Sequence, residues 1–383
     1  MRILYVATDQ TVPGTKGGSI HVAAVARGLV ALGHEVHALV TAGPGGVPQH
    51  DGVHWHVLAP PLGARQLRFA LTAAVSVLAS RVLPDVVMER YYNFGGEGMR
   101  AARTRGVPYV LEVNAPIIDY PGSPKRTLDR ALLIEPMRRW RDRQCAAAAL
   151  VITPSATIVP ASIPPERLLE VEWGADTQAF HPGAAGPVPF ERRAEAMTVV
   201  FAGAFRSWHG AVHLVRAIRT LRARGRTDVD AVLIGDGPEL AAVREAATGI
   251  DGITFTGALP HPRVPACLAA ADVGAAPFDI GAHAPLALAF YWSPLKIFEY
   301  MASGLPVVAP DLPRLRQIVR HRADGLLYDA AEPDALATAL EALADNPDAR
   351  RAMGRAAREH AVRDFGWDGH CRTLDEALRR CVS

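Results

Sequence analysis

The sequence constrains the fold most by repeating one pattern in its two halves. Residues 2–7 form a nearly continuous apolar run, as expected of a strand that is covered on both faces in a parallel sheet. A glycine-bearing loop, an amphipathic helix ended by Gly33 and a second apolar strand follow. Residues 198–202 begin the same series again, with a helix over 211–224 and a strand over 230–234. We therefore predict two α/β domains, each a doubly wound parallel sheet.

The chain of 383 residues is long enough for two such domains. A segment rich in Gly, Pro and Ala separates the two series and is typical of a linker. The predicted boundaries are a Rossmann-like domain over 1–178, a linker over 179–196, a second Rossmann-like domain over 197–365, and a helix over 366–383 that packs back toward the first domain. Ligands of such folds bind at the carboxyl ends of the strands, so we expect the two domains to face each other across a ligand-binding cleft.

The composition limits the partners. With 41 basic and 39 acidic residues the net charge is +2, so no overall field attracts nucleic acid or an anionic membrane. The four cysteines are far apart, which favours free thiols in a reducing compartment. The first residues enter a strand instead of forming a leader, and no apolar run reaches about 18 residues. We therefore expect a cytoplasmic protein.

The most informative segment is 292–309, which includes one of only three lysines; the others are Lys16 and Lys125. Ser293 and Pro294 are typical of a helix start, and a buried strand follows Gly304. The amides of Leu295 and Lys296 in the first turn, together with the lysine ammonium, form a candidate phosphate site. Glu299 lies one turn further on, where its carboxylate can accept hydrogen bonds from ribose hydroxyls.

Three other loops carry weaker signals. The first, at 203–210, joins a strand to a helix and contains Arg206, whose guanidinium suits a diphosphate. The second, at 235–238, is a Gly-Asp-Gly-Pro turn at the end of another strand. The third, at 16–19, brings glycine amides to a helix start but has neither the Walker nor the dinucleotide spacing.

Taken in order, these segments resemble the retaining, nucleotide-sugar-dependent family 4 glycosyltransferases of the GT-B fold. The resemblance covers nearly the whole chain and is most specific over 293–308. It implies that Glu299 binds the donor ribose, that Leu295 and Lys296 lie at the diphosphate, and that Gly17 and Gly18 approach the donor. The predicted catalytic residues are Arg206, Lys296 and Asn114, and the remaining donor-binding candidates are Gly203, His209, Gly235, Asp236, Gly237 and Leu259.

Four positions depart from the family pattern. Tyr291 replaces the first glutamate of a paired motif, and Ala204 and His209 replace an arginine and a lysine of the glycine loop. Arg206 and Lys296 are expected to supply the missing charge. Asn114 stands where many relatives have a histidine that contacts the donor sugar.

The sequence therefore predicts a metal-independent, retaining transfer of a sugar from a UDP- or GDP-linked donor to a small-molecule or lipid-linked acceptor. It predicts no cofactor, and the acceptor-binding candidates are Glu112, Lys16 and Arg90. The alternatives are a nucleotide-sugar epimerase or hydrolase with the same two domains, which needs a pair of acid and base carboxylates, and a nucleotide-binding module without catalysis.

Several other patterns are consistent with either a binding site or an ordinary structural role. His209 and His213 are spaced to share a metal ion, although no third ligand is evident nearby. Residues 65–81 could contact a membrane surface weakly as an amphipathic helix, but burial against the first sheet is favoured. The Arg-rich run at 138–143 is typical of a solvated helix face, and His54 and His56 are typical of a surface pair.

Overall fold

A computed structural model describes residues 1–63, 65–120 and 135–383. The chain divides into two compact units. The first comprises Met1–Trp173, Tyr291–Ser293 and Trp367–Ser383, and the second comprises Gly174–Phe290 and Pro294–Gly366. Residues 179–196, predicted as a linker, therefore belong to the second unit, and the last helix belongs to the first.

Each unit contains one parallel sheet, as the continuous apolar runs predicted. The first sheet has the order β3-β2-β1-β4-β5-β6-β7, with strands β1 Arg2–Val12, β2 Glu35–Ala42, β3 His54–Val57, β4 Val86–Arg90, β5 Tyr109–Glu112, β6 Leu150–Thr153 and β7 Leu168–Glu170. The second has the order β10-β9-β8-β11-β12-β13, with strands β8 Met197–Ala202, β9 Val229–Ile234, β10 Ile253–Gly257, β11 Val273–Ala275, β12 Val307–Pro310 and β13 Gly325–Tyr328. Two Rossmann-like sheets are thus confirmed.

Most connections between the strands contain an α-helix, as is usual for the crossovers of a parallel sheet. Their bounds are α1 Gly17–Ala31, α2 Thr72–Val82, α3 Glu97–Arg105, α4 Glu135–Ala147, α5 Ala211–Ala223, α6 Leu240–Ala246, α7 Val264–Ala269, α8 Leu295–Ala302, α9 Pro313–Ile318, α10 Ala335–Asp345, α11 Pro347–Asp364 and α12 Trp367–Val382. Among the described residues, no helix is both long and apolar enough to cross a membrane.

The structure bears on two further helix predictions. The pattern of residues 66–81 predicts one helix, but the structure has a 3₁₀ segment over Arg65–Leu71 followed by α2. The Arg-rich pattern of residues 128–148 predicts a long helix; its described part is α4, and residues 128–134 lie outside the described residues, as does Lys125.

Each sheet carries its own apolar core. In the first unit, Val25 and Leu29 of α1 pack with Leu374 and Leu378 of α12 against the central strands. In the second unit, α5 and α10 cover one face of the sheet through residues such as Ile218. The helical spacing of these buried residues is the signal that the sequence shows.

Candidate active site

The start of α8 places Lys296 at the centre of the candidate site in the second unit. The helix begins at Leu295, with Pro294 in the N-cap position and no side-chain cap. The expected cap by Ser293 is wrong, because its hydroxyl lies 2.5 Å from Glu172 Oε2. As residues of the first turn, Leu295 and Lys296 present amides that have no carbonyl partner within the helix.

The Lys296 ammonium is buried without an anionic partner at hydrogen-bond distance. Its Nζ lies 4.0 Å from the centroid of the Phe201 ring and 5.3 Å from that of Phe278, and it has no hydrogen-bond partner among the described residues. Burial lowers the pKa of Lys296 to about 7, although the Glu299 carboxylate opposes this shift. Because an isolated buried charge is costly, an anion that binds here would gain a strong, desolvated donor.

Glu299 is already paired with a histidine. Its Oε1 lies 3.1 Å from Nε2 of His261, and the Glu299 side chain is 12% exposed. Burial disfavours the imidazolium, but the hydrogen bond to Glu299 and its charge raise the pKa of His261 overall. A ribose at this carboxylate would therefore share it with His261 or displace the histidine.

Two glycine loops lie close together at the carboxyl ends of β8 and β9. Gly203 and Gly235 have φ values of 146° and 133°, which few other residues adopt. A Cβ on Gly235 would lie 1.9 Å from the carbonyl oxygen of Gly203, and a Cβ on Gly203 would lie 3.0 Å from Lys296 Nζ. Because neither position has room for a side chain, the backbone beside the Lys296 ammonium is accessible to a ligand.

The other predicted donor-binding residues line the same loops. Asp236 is exposed and accepts a hydrogen bond of 2.7 Å from the amide of Gly237. The helix that follows this turn, α6, begins at Leu240. Leu259 is partly exposed just after β10.

The β8–α5 loop carries one exposed and one half-buried basic side chain. Arg206 is exposed, with its guanidinium 5.2 Å from the Trp208 ring centroid. His209 Nδ1 lies 2.5 Å from the carbonyl oxygen of Ala204. Burial, helped by the charge of Lys296, lowers the pKa of His209 to about 3, so this imidazole is neutral and does not replace the family lysine as a cation.

The metal hypothesis for His209 and His213 finds no support in this geometry. His213 Nε2 lies 3.2 Å from an Asp279 carboxylate oxygen. That carboxylate also accepts hydrogen bonds from the amides of Gly281 and Ala282. No group of three metal-binding side chains among the described residues includes either histidine.

In the first unit, Glu112 is the centre of a buried polar cluster at the carboxyl end of β5. Its Oε1 lies 2.8 Å from His21 Nε2 and 2.9 Å from Arg90 Nη1 and accepts from the Asn114 amide, and its Oε2 accepts from the Tyr5 hydroxyl. Burial alone would raise the pKa of Glu112, but His21 and Arg90 hold it well below its usual range. Glu112 and Arg90 are therefore engaged with each other, which favours a positioning role over direct contact with an acceptor.

The remaining first-unit candidates lie around α1 and its loop. Lys16 is exposed at the N-cap of α1. A Cβ on Gly18, in the first turn of α1 after Gly17, would lie 2.4 Å from Gln10 Oε1. Asn114 accepts a hydrogen bond of 3.1 Å from Trp173 Nε1.

Sequence reasoning missed His21 and Trp173. Their rings stack with centroids 4.3 Å apart beside Glu112. Together with Asn114 and His370 they line a cavity of about 10 Å³, which is enough for about one water molecule. The only sequence signal for His21 is its place one turn into the helix that follows the glycine loop.

Two of the weaker patterns also have a structural explanation. Arg68, within the proposed membrane segment, is fully buried, and its Nε donates to Glu97 Oε1 at 2.6 Å. In the Arg-rich run, Arg141 donates to the carbonyl oxygen of Ile117 at 3.1 Å, whereas Arg143 is exposed; the side chain of Arg138 lies outside the described residues.

Tyr291, at the position of the family glutamate, is buried, and burial raises the pKa of its hydroxyl.

Two family models match the chain. The model described as Glycosyltransferase Family 4 matches residues 15–160, and the model described as Glycosyl transferases group 1 matches residues 196–346. The two matched ranges lie in the first and second halves of the chain and together cover most of it.

Similar proteins agree with these matches. A GDP-mannose-dependent alpha-(1-6)-phosphatidylinositol monomannoside mannosyltransferase of Mycobacterium tuberculosis is 32% identical over 222 residues, which cover 54% of this chain and 54% of that protein. The chain thus spans about half the length of this relative. A D-inositol 3-phosphate glycosyltransferase of Kribbella flavida is 29% identical over 97% of this chain and 92% of its own. In fold, the Anabaena protein Alr3699/HepE in complex with UDP-glucose has a TM-score of 0.72 at 19% identity, with 99% of this chain and 100% of that chain covered.

We expect the buried charge of Lys296 to make stability depend on pH. Its pKa of about 7 in the folded chain is below the ordinary value of 10.5. Between these values the unfolded chain binds more protons, so the free energy of unfolding should rise with pH, by about 1.4 kcal/mol per pH unit. Lys296→Met should remove this dependence and stabilise the ligand-free protein most at pH 6 to 7.

Urea denaturation of the wild type and Lys296→Met between pH 6 and 10 measures this difference. Lys16→Met is the matched control, because Lys16 is exposed and should leave the dependence unchanged. Parallel stability curves for the wild type and Lys296→Met would show that the ammonium is solvated and not buried.

Proposed function

Because this chain belongs to the family 4 glycosyltransferases of the GT-B fold, we propose that it transfers a sugar from a nucleoside diphosphate sugar to a small-molecule or lipid-linked acceptor, with retention of the anomeric configuration. The observation that carries this proposal is the buried Lys296 ammonium at the start of α8, which has no hydrogen-bond partner among the described residues. A diphosphate is the anion that this combination of cation, helix amides and bare glycine backbone fits best.

The geometry of the second unit supports the donor contacts that we propose. Lys296 and the amide of Leu295 bind the diphosphate, and Gly203, Gly235 and Gly237 let it approach the backbone. Glu299 binds the ribose hydroxyls, one turn along α8. The base is read near Leu259, and a UDP- or GDP-linked donor is favoured because the mycobacterial relative is named for GDP-mannose and the Anabaena structure for UDP-glucose.

The chemical step depends on charge stabilisation. As the bond between the anomeric carbon and the diphosphate oxygen breaks, the bonding electrons remain on that oxygen. Lys296 in its protonated form stabilises this charge in a desolvated place, and Arg206 adds a second cation. The acceptor oxygen forms its bond on the same face of the sugar and gives its proton to a phosphate oxygen, so no side chain has to act as the base.

The first unit supplies the remaining proposed contacts. From the family resemblance we propose that Asn114 contacts the donor sugar. Glu112 accepts hydrogen bonds from the Asn114 amide and from Arg90 and so holds that amide in place. Gly17, Gly18 and the exposed Lys16 lie at the amino end of α1, where helix amides attract anionic groups.

The proposal is tested by incubating the protein with labelled UDP-, GDP-, ADP- and dTDP-sugars and candidate acceptors. We expect one donor class to give a glycosylated product whose anomeric configuration, read by NMR, equals that of the donor. An inverted product would overturn the retaining mechanism. A new free nucleotide sugar would indicate an epimerase, free sugar alone a hydrolase, and nucleotide binding without turnover a binding module.

Glu299→Gln should weaken nucleoside diphosphate affinity by about 1 to 3 kcal/mol, the usual cost of losing a hydrogen bond to a charged group. Calorimetry with a 2′,3′-dideoxy nucleotide gives the sharper comparison, because the loss should disappear when the ribose hydroxyls are absent. His261→Ala is the control that breaks the Glu299 pair but keeps the carboxylate. An equal loss with both nucleotides would contradict ribose binding by Glu299.

Turnover should persist in excess EDTA, because cationic side chains rather than a metal ion hold the diphosphate. The Asp236 and Asp279 carboxylates in the nearby loops are already bonded to backbone amides. Arg206→Ala should lower kcat, and added magnesium or manganese should not rescue it. Arg244→Ala, which removes another arginine stacked on an aromatic ring, should keep the rate. Loss of wild-type turnover in EDTA and its return with manganese would replace this assignment with a metal-dependent one.

A further inference from the structure

Four side chains with metal-binding atoms lie together at the amino ends of β2 and β3 in the first unit. Glu35 and His37 are two residues apart on β2, and His54 and His56 are two apart on β3, so alternation places each pair on one face of its strand. The parallel register pairs His37 with His54. The His37 ring stacks on His54 with centroids 4.6 Å apart and lies 5.2 Å from the His56 ring.

This face of the sheet is the one turned away from the α1 core. The intervening residues Val36 and Ala38 are buried in that core, and Trp55 packs against it. β3 pairs with β2 alone and is the edge strand of the sheet. Glu35 and His54 are exposed, so ions in solution reach the cluster directly.

The polar atoms of the cluster point at one another. His37 Nε2 lies 2.9 Å from Glu35 Oε1, and His37 Nδ1 lies 2.9 Å from His56 Nε2. One ligand atom from each of Glu35, His37 and His54 falls within 4.8 Å of the other two. Elsewhere in the described residues no other group of three such side chains comes this close.

We propose that Glu35, His37 and His54 form a binding site for a divalent transition-metal ion of the zinc class. Two imidazoles and one carboxylate are ligands that zinc accepts, and three protein ligands leave a fourth position for water. At bond lengths of about 2.0 to 2.2 Å, tetrahedral ligand atoms are about 3.3 to 3.6 Å apart. The ligand atoms must therefore move closer than they are here, and the exposed side chains of Glu35 and His54 have room to rotate toward an ion.

His56 acts in this site as a positioning residue. When His37 Nε2 binds the metal, its Nδ1–H donates to His56 Nε2, the arrangement by which an outer partner fixes the tautomer of a ligating histidine. The ion then links two ligands on β2 to one on β3. It therefore ties the edge strand to the sheet by a contact that the backbone ladder does not supply.

The site is tested by calorimetric titration of zinc into the full chain, purified without a histidine tag, treated with EDTA and desalted. We expect one saturable site in the wild type, at least tenfold weaker binding in His54→Ala and Glu35→Gln, and a smaller loss in His56→Ala. His181→Ala, which removes a histidine of the second unit outside the cluster, should bind as the wild type does. Magnesium should not compete, because it prefers oxygen ligands.

Wild type without saturable zinc binding, or His54→Ala with wild-type affinity, would overturn the proposal. Imidazole NMR of the wild type gives a measurement that needs no variant: zinc should shift the ring signals of His37 and His54 and leave those of His181 in place. Unshifted His54 signals at saturating zinc would also contradict the site. None of these readouts depends on glycosyl transfer, so they separate this inference from the proposed function.

Discussion

Parallel pairing of every described strand places all carboxyl ends of a sheet at the same edge. A helix that connects two such strands runs back antiparallel to them, so its first turn lies at that edge too. In the second unit this rule brings the glycine loops after β8 and β9 to the first turn of α8, although Gly203 and Lys296 are far apart in sequence. The candidate donor site is thus a consequence of the topology, and its chemistry depends on which side chains occupy these few positions.

The sequence could predict the parts that depend on local pattern. Continuous apolar runs located the strands of both sheets, and helical spacing located α1 and α5. It could not predict that Ser293 bonds to Glu172 instead of capping α8, or that Phe201 lies under the Lys296 ammonium, because both contacts join distant segments. The 3₁₀ segment at Arg65–Leu71 was missed for a similar reason, since burial of Arg68 among carboxylates decides the path of that segment.

The two units manage buried charge in different ways. In the first unit, Arg68 lies close to three carboxylates, those of Asp9, Glu89 and Glu97. Burial, with repulsion from Glu97, raises the pKa of Glu89 to about 7. The ionised form of Glu89 is therefore destabilised in this cluster. Removing one member of such a network would leave a buried charge without its partner, which is strongly destabilising. All the charged partners of Arg68 accordingly come from the same unit. Each of the three carboxylates contacts Arg68, and only Glu97 Oε2 among their buried oxygens has no hydrogen-bond partner, which is typical of a structural network.

Lys296 is the opposite case, because no described group of the second unit accepts a hydrogen bond from its ammonium. Burial therefore lowers the pKa of this amine to about 7, although the Glu299 carboxylate opposes the shift. An anion beside Nζ would favour the ammonium and raise its pKa again, so anion binding and proton uptake are linked at this residue. The stability lost by burying an unpaired lysine is then recovered only in the complex. The buried lysine therefore gives a higher affinity for the anion than a solvated lysine would. An exposed ammonium has to give up its hydrogen bonds to water when it binds the anion, which offsets most of the gain.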